Sequence, residues 1–136
     1  MKNSILVLAL ITVILSGCTN SGAFLSANQT IVNLDEGNYN LTATNVMGEA
    51  ESAYVLGLSY STGLTAVTLA IARVEGTGML YAEALENLWS NFEAENGTAV
   101  GQSLALTNIR YDTDILNFVL YTKVKITVRA DVIRFE

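Results

Sequence analysis

Carboxylates are the most abundant groups in this chain that could do chemistry. Thirteen Asp and Glu stand against seven Lys and Arg, with no histidine and one cysteine. Lacking histidine, the chain lacks the commonest general base and metal ligand, and no serine has the partner that a Ser-His-Asp triad needs. Asp112 and Asp114 flank Thr113 and offer oxygens to Ca²⁺, but a Ca²⁺ loop needs several more ligands. The same residues read more simply as a hairpin turn held by side-chain-to-backbone bonds. Glu49 and Glu51 share one side of a strand, and Glu83 and Glu86 one face of a helix. Either pair has the make-up of a two-carboxylate acid–base site, and either is more simply a solvated face. Arg129 and Asp131, two apart, would form a surface ion pair worth at most ~1 kcal/mol. Lys123, Lys125 and Arg129 make a basic stripe that suits lipid phosphate or an acidic partner, or that guards a sheet edge. Gly76-Thr77-Gly78 lacks the spacing and the lysine of a phosphate loop. No catalytic, cofactor-binding or metal-ligating residue emerges, and the chain reads as no enzyme.

The cysteine is different. Lys2 supplies a positive start, Ser4–Leu15 an apolar run, and Ser16-Gly17 small residues ahead of Cys18, which is the order of a secretory signal. The run is too short to span a hydrocarbon core of roughly 30 Å as a helix, which takes about 20 apolar residues. Leu15-Ser16-Gly17-Cys18 resembles the bacterial lipobox. That resemblance implies a diacylglyceryl group on the Cys18 sulfur, cleavage before Cys18 and acylation of the new amine. Two or more acyl chains make a stable anchor where one holds only marginally. The expected organisation is a signal peptide over 1–17, lipidated Cys18 and a polar tether over 18–29, and one domain over 30–136. The expected location is the cell envelope. Thr19 rather than Asp follows the cysteine, which favours the outer membrane. Once Lys2 is removed, six basic residues face thirteen acidic ones, a balance that argues against nucleic acid.

The elements that would position these residues follow from periodicity. Thr30–Leu34 is a short strand, and Asp35–Asn38 a turn. Tyr39, Leu41 and Ala43 alternate with polar residues as in a half-buried strand, and the alternation slips near Val46-Met47-Gly48, the mark of a bulge. Tyr54–Val74 has a single charge and could be taken for a membrane span. Its Gly, Ser, Thr and β-branched content, with a turn signal over Ser59–Gly63, makes it two strands or a strand and a packed loop. From Gly76 to Gly97 the period changes to that of a helix. Thr77 is the expected N-cap, Tyr81, Leu85, Leu88 and Phe92 the apolar face, Trp89 its border, and Asn96-Gly97 the stop. Leu104 and Leu106 then face one way on a strand, with Ala105 and Ile109 the other. Asp112–Asp114 is the expected turn. In the last strand Phe118, Leu120, Val124, Ile126, Val128, Ala130 and Val132 face the core, and Lys123, Lys125, Thr127, Arg129 and Asp131 face water. The expected fold class is α+β: two layers, a mainly antiparallel sheet with one amphipathic helix packed on one face.

The stretches TNVMGEA (44–50), GTGMLYAEALENLW (76–89), LALTNIRYD (104–112) and VRADVIRF (128–135) resemble a family of small Bacteroidota lipoproteins that is itself a domain of unknown function. The resemblance implies an envelope lipoprotein with this strand–helix–strand order and transfers no site residue. The reading is a membrane-anchored lipoprotein acting as a non-enzymatic interaction or structural subunit, its partner a second copy or another envelope protein. The alternative is a binding module for a small apolar ligand or lipid.

Overall fold

The computed structural model describes residues 18–21, 25–26, 37–62, 65–118 and 120–136. The expected signal peptide and the expected strand at 30–34 lie outside the described residues. Among the described residues the strands are β1 (Cys18–Ser21), β2 (Leu25–Ser26), β3 (Tyr39–Thr62), β4 (Thr65–Glu75), β5 (Leu104–Asn117) and β6 (Tyr121–Phe135), with one helix, α1 (Leu80–Asn96), between β4 and β5. They form a six-stranded sheet in the order β1-β5-β6-β3-β4, with β2 also on β5. Every pairing is antiparallel. This is the expected mainly antiparallel sheet with one helix. The expected tether over 18–29 contains two stretches that pair with the outer side of β5.

The segment 54–74 is a hairpin of β3 and β4, as its turn signal and β-branched content predict, and Thr62 pairs with Thr65 across its end. Among the described residues no helix is long and apolar enough to cross a membrane. The expected turn at Asp112–Asp114 is not one: these residues lie inside β5, opposite Thr127, Ile126 and Lys125. The chain turns instead at 118–120, where Phe118 and Tyr121 exchange backbone hydrogen bonds. Polar composition misplaced the turn, because the Asp residues face cross-strand cations and the true turn is apolar.

Bulges flank β6 on both sides, and two of them are linked. The register of β3 shifts between Ala43 and Val46, and that of β5 between Thr107 and Arg110. Each shift holds an asparagine with left-handed backbone, Asn45 and Asn108. The Asp131 carboxylate on β6 ties both, accepting from the Asn45 N–H at 2.8 Å and from Asn108 Nδ2 at 2.7 Å. Asp131 therefore serves the bulges rather than Arg129. The slip expected near Gly48 occurs just before it. The β5 bulge also resets the alternation, so Leu106 and Ile109 join the same core rather than opposite faces.

Helix α1 packs on the sheet through Leu80, Ala84, Leu88 and Phe92. Leu88 and Phe92 are buried as expected, while in the first half of the helix Leu80 and Ala84 take the places of Tyr81 and Leu85, a rotation that leaves Tyr81 exposed and Leu85 at the margin. Gly48 explains the rotation. A Cβ there would overlap the Ala84 carbonyl oxygen and the Leu88 backbone nitrogen, so helix and strand meet where both are smallest. Met79 rather than Thr77 is the N-cap, yet Thr77 Oγ1 accepts the Met79 N–H at 3.1 Å and binds Glu83 at 2.9 Å, doing much of a cap's work from outside. Gly97, at φ 82°, returns its N–H to Glu93 and ends the helix where expected. Trp89 meets Phe92 edge to face at 5.7 Å, a core-edge aromatic as its place beside the stripe suggested.

Candidate interaction surface

The face of the sheet opposite the helix carries the charges that sequence spacing singled out. They are spent on one another. Lys123 Nζ lies 2.7 Å from Glu51, Lys125 Nζ 2.8 Å from Glu49, and Arg129 Nη1 3.3 Å from Asp112. The first two pairs bridge β6 to β3 and the third bridges β6 to β5, a ladder of opposite charges across neighbouring strands. The Lys125 hydrogen bond holds the Glu49 carboxyl below its ordinary value. The bond to Glu51 raises the Lys123 ammonium above its own. The basic stripe is therefore no edge guard, because β6 has β5 and β3 on either side.

The remaining carboxylates singled out by spacing divide, and one helix carboxylate, Glu83, shares a recess with Glu49 and Glu51. Asp112 and Asp114 face Thr127 and Lys125 across the ladder, and among the described residues no group of three or more Asp, Glu, Cys or His could hold a metal. Glu83 is bonded to Thr77, and Glu86 is exposed. A recess of about 440 Å³ opens between the start of α1 and β3, lined by Glu49, Glu51, Glu75, Glu83, Asn87 and Lys125. It is acidic rather than apolar, and Lys125 already answers one of its carboxylates. Tyr81 and Tyr111 touch edge to face with hydroxyls 3.0 Å apart. Burial and this bond push Tyr111 up, so its phenol stays protonated.

Exposed apolar side chains gather on the β3–β4 hairpin. In the β3–β4 hairpin Leu58 pairs with Leu69 and Tyr60 with Val67, which puts each pair on one face. Leu58 is 59% exposed, Leu69 68% and Ile71 78%, and Leu56 and Tyr60 are about half exposed. Soluble monomers rarely show a contiguous apolar patch beyond a few hundred Å². The opposite side of the hairpin is braced. Asn117 Oδ1 accepts the Ser59 N–H at 3.0 Å and its Nδ2 donates to the Ser59 carbonyl at 2.8 Å. Thr122 donates to the Gly57 carbonyl at 2.7 Å, and the Leu56 N–H to that of Leu120 at 3.0 Å. The hairpin is thus held against the β5–β6 turn, whose Phe118 and Leu120 are exposed as well.

Cys18, singled out for lipidation, is placed by its backbone: it pairs with Asn117, the residue that braces Ser59. No pattern in the sequence announced that Cys18, the apolar hairpin and the 118–120 turn would share one end of the sheet. The signal was present in charge: no Asp, Glu, Lys or Arg occurs between Lys2 and Asp35, between Glu51 and Arg73, or between Asp114 and Lys123.

The chain belongs to a family of unknown function (DUF6567), and the match spans residues 1–136. No curated protein and no solved structure matches it.

Proposed function

We propose that this chain is an envelope lipoprotein, anchored by acyl chains on Cys18 and working as a non-enzymatic interaction or structural subunit, in the outer membrane. A signal over residues 1–17 would direct export, and Cys18 would become the first residue of the mature protein. The kinship to small Bacteroidota lipoproteins noted from the motifs is part of this reading. The observation that carries it is the division of the surface. Glu49, Glu51 and Asp112 are consumed in the cross-strand ladder, while a group of exposed apolar side chains lies where the backbone of Cys18 joins the sheet. An open apolar face suits an extended partner better than a small apolar ligand, which needs enclosure.

The test is a Cys18→Ser variant expressed beside the wild type in cells fed labelled palmitate. The wild type should take up label and sediment with membranes. The variant should take up none and lose that processing. A variant that fractionates and migrates like the wild type would sink the proposal.

A further inference from the structure

We infer that the end of the sheet formed by the β3–β4 hairpin and the β5–β6 turn is the surface on which this domain rests against the lipid bilayer. This rests on the anchored reading above. It goes further by naming the occupant of the apolar face: the interfacial layer of the membrane.

Three observations carry the inference. The first is continuity. Cys18 pairs with Asn117, and the Asn117 side chain is bonded on both sides of the Ser59 peptide, so the anchor point and the hairpin are one braced unit. Acyl chains attached at Cys18 leave this end of the sheet no farther from the lipid than the short span between them. The second is charge. Three uncharged stretches of sequence meet here, and the ladder of Glu51, Lys123, Glu49 and Lys125 begins only farther along β3 and β6. A surface meant for an acidic or basic protein would carry the opposite sign. A surface meant for lipid need carry none, and placing charge in the bilayer is costly. The third is composition. Leu56, Leu58, Tyr60, Leu69 and Ile71 on the hairpin are each exposed, and so are Phe118 and Leu120 at the turn to which the hairpin is bonded. Tyrosine with leucine is the make-up of a membrane–water boundary.

The hydrogen-bond inventory limits the depth. Among the described residues β4 is the last strand of the sheet and pairs on one side only, with β3. Its outer N–H and C=O groups need partners, which the hydrocarbon core cannot supply and the wet headgroup region can. The hairpin therefore lies in the interface rather than across the membrane. Because the contact is uncharged, it should be insensitive to salt.

Single-cysteine labelling of the full lipoprotein tests this, since acylated Cys18 has no free thiol. Leu69→Cys, Ile71→Cys and, as a control at the far end of α1, Glu95→Cys are each exposed to a membrane-impermeant maleimide. Membrane fractions serve first, then vesicles of phosphatidylethanolamine and phosphatidylglycerol holding the purified lipoprotein. Leu69→Cys and Ile71→Cys should label several-fold more slowly than Glu95→Cys in both, and match it once detergent replaces lipid, whatever the salt. Equal labelling of all three in the membrane-bound protein would overturn the inference. Protection that persists in detergent and rises with protein concentration would also overturn it, assigning the face to a second copy. Palmitate uptake on the same samples separates the two proposals. Unlabelled, unbound protein defeats the anchor itself, whereas labelled protein with an accessible hairpin defeats only the docking surface.

Discussion

Gly48 shows how one residue can fix the relation between layers. Its hydrogen leaves room for the Ala84 carbonyl and the backbone of Leu88, the latter's Cα within 2.8 Å of where a Cβ would sit. Gly48→Ala should therefore push α1 off β3 and cost about 1–3 kcal/mol, the usual range for overpacking, read as a lower urea midpoint. The sequence offers Gly48 as a bulge glycine, and only the packing reveals it as a contact glycine. Glu49 makes a second prediction at this scale. Its carboxyl is held below its ordinary value by Lys125, with desolvation opposing. A depressed carboxylate stabilises the fold above its unfolded value and loses that contribution as pH falls through the lowered folded value. Stability should therefore be flat near neutrality and fall below about pH 4.5, the ordinary value. Both partners are more than a third exposed, so screening keeps the pair within ~1 kcal/mol. Glu49→Gln should flatten that part of the stability–pH curve. A curve with the wild type's acid slope would show that the pair contributes nothing.

At the scale of elements, the helix does two jobs. It covers a face of the sheet, and it closes an edge. Among the described residues β3 is paired on its outer side only from Ala53 onward, where it meets the last residue of β4, Glu75. Just before that, Asn87 Nδ2 donates to the Glu49 carbonyl at 2.7 Å and Asn91 Nδ2 to the Met47 carbonyl at 2.8 Å. Two side chains four apart on α1 thus stand in for a neighbouring strand, a way of blunting an edge that would otherwise invite pairing. Replacing both with alanine should cost about 0.5–1.5 kcal/mol per bond and speed amide exchange in the 47–49 stretch. Unchanged exchange there would show that water serves these carbonyls equally well. Much at this scale was legible beforehand. The helix and the β3–β4 hairpin follow from period and composition, and so does the dry face of β6 from Val124 onward, whereas Phe118 and Leu120, expected on that face, are exposed in the turn before it. What was not legible depends on contacts between distant segments. Asp112–Asp114 looks like a turn until Lys125 and Arg129 lie opposite, and the 118–120 turn hides in an apolar run. Asn45 and Asn108, both preceded by threonine and followed by a β-branched residue, gave a repeated local signal for the bulges. Its meaning required Asp131 between them.

For the whole molecule, polarity along the sheet matters more than any single site. Charge gathers on the ladder and around the acidic recess, and apolar surface gathers where β1, the β3–β4 hairpin and the β5–β6 turn meet. Glu49 and Glu51, two apart on β3, meet Lys125 and Lys123, two apart on β6, so that pair of carboxylates is engaged in structural pairing. The proposed contact surface lies in three uncharged stretches whose meeting only the topology discloses. All of it turns on what becomes of Cys18. Mass spectrometry of the mature protein purified from membranes answers that most directly. The account predicts an N-terminal peptide beginning at Cys18, with a diacylglyceryl thioether on its sulfur and an acyl group on its amine. A mature chain that begins elsewhere, or at Cys18 with a free thiol, would contradict it.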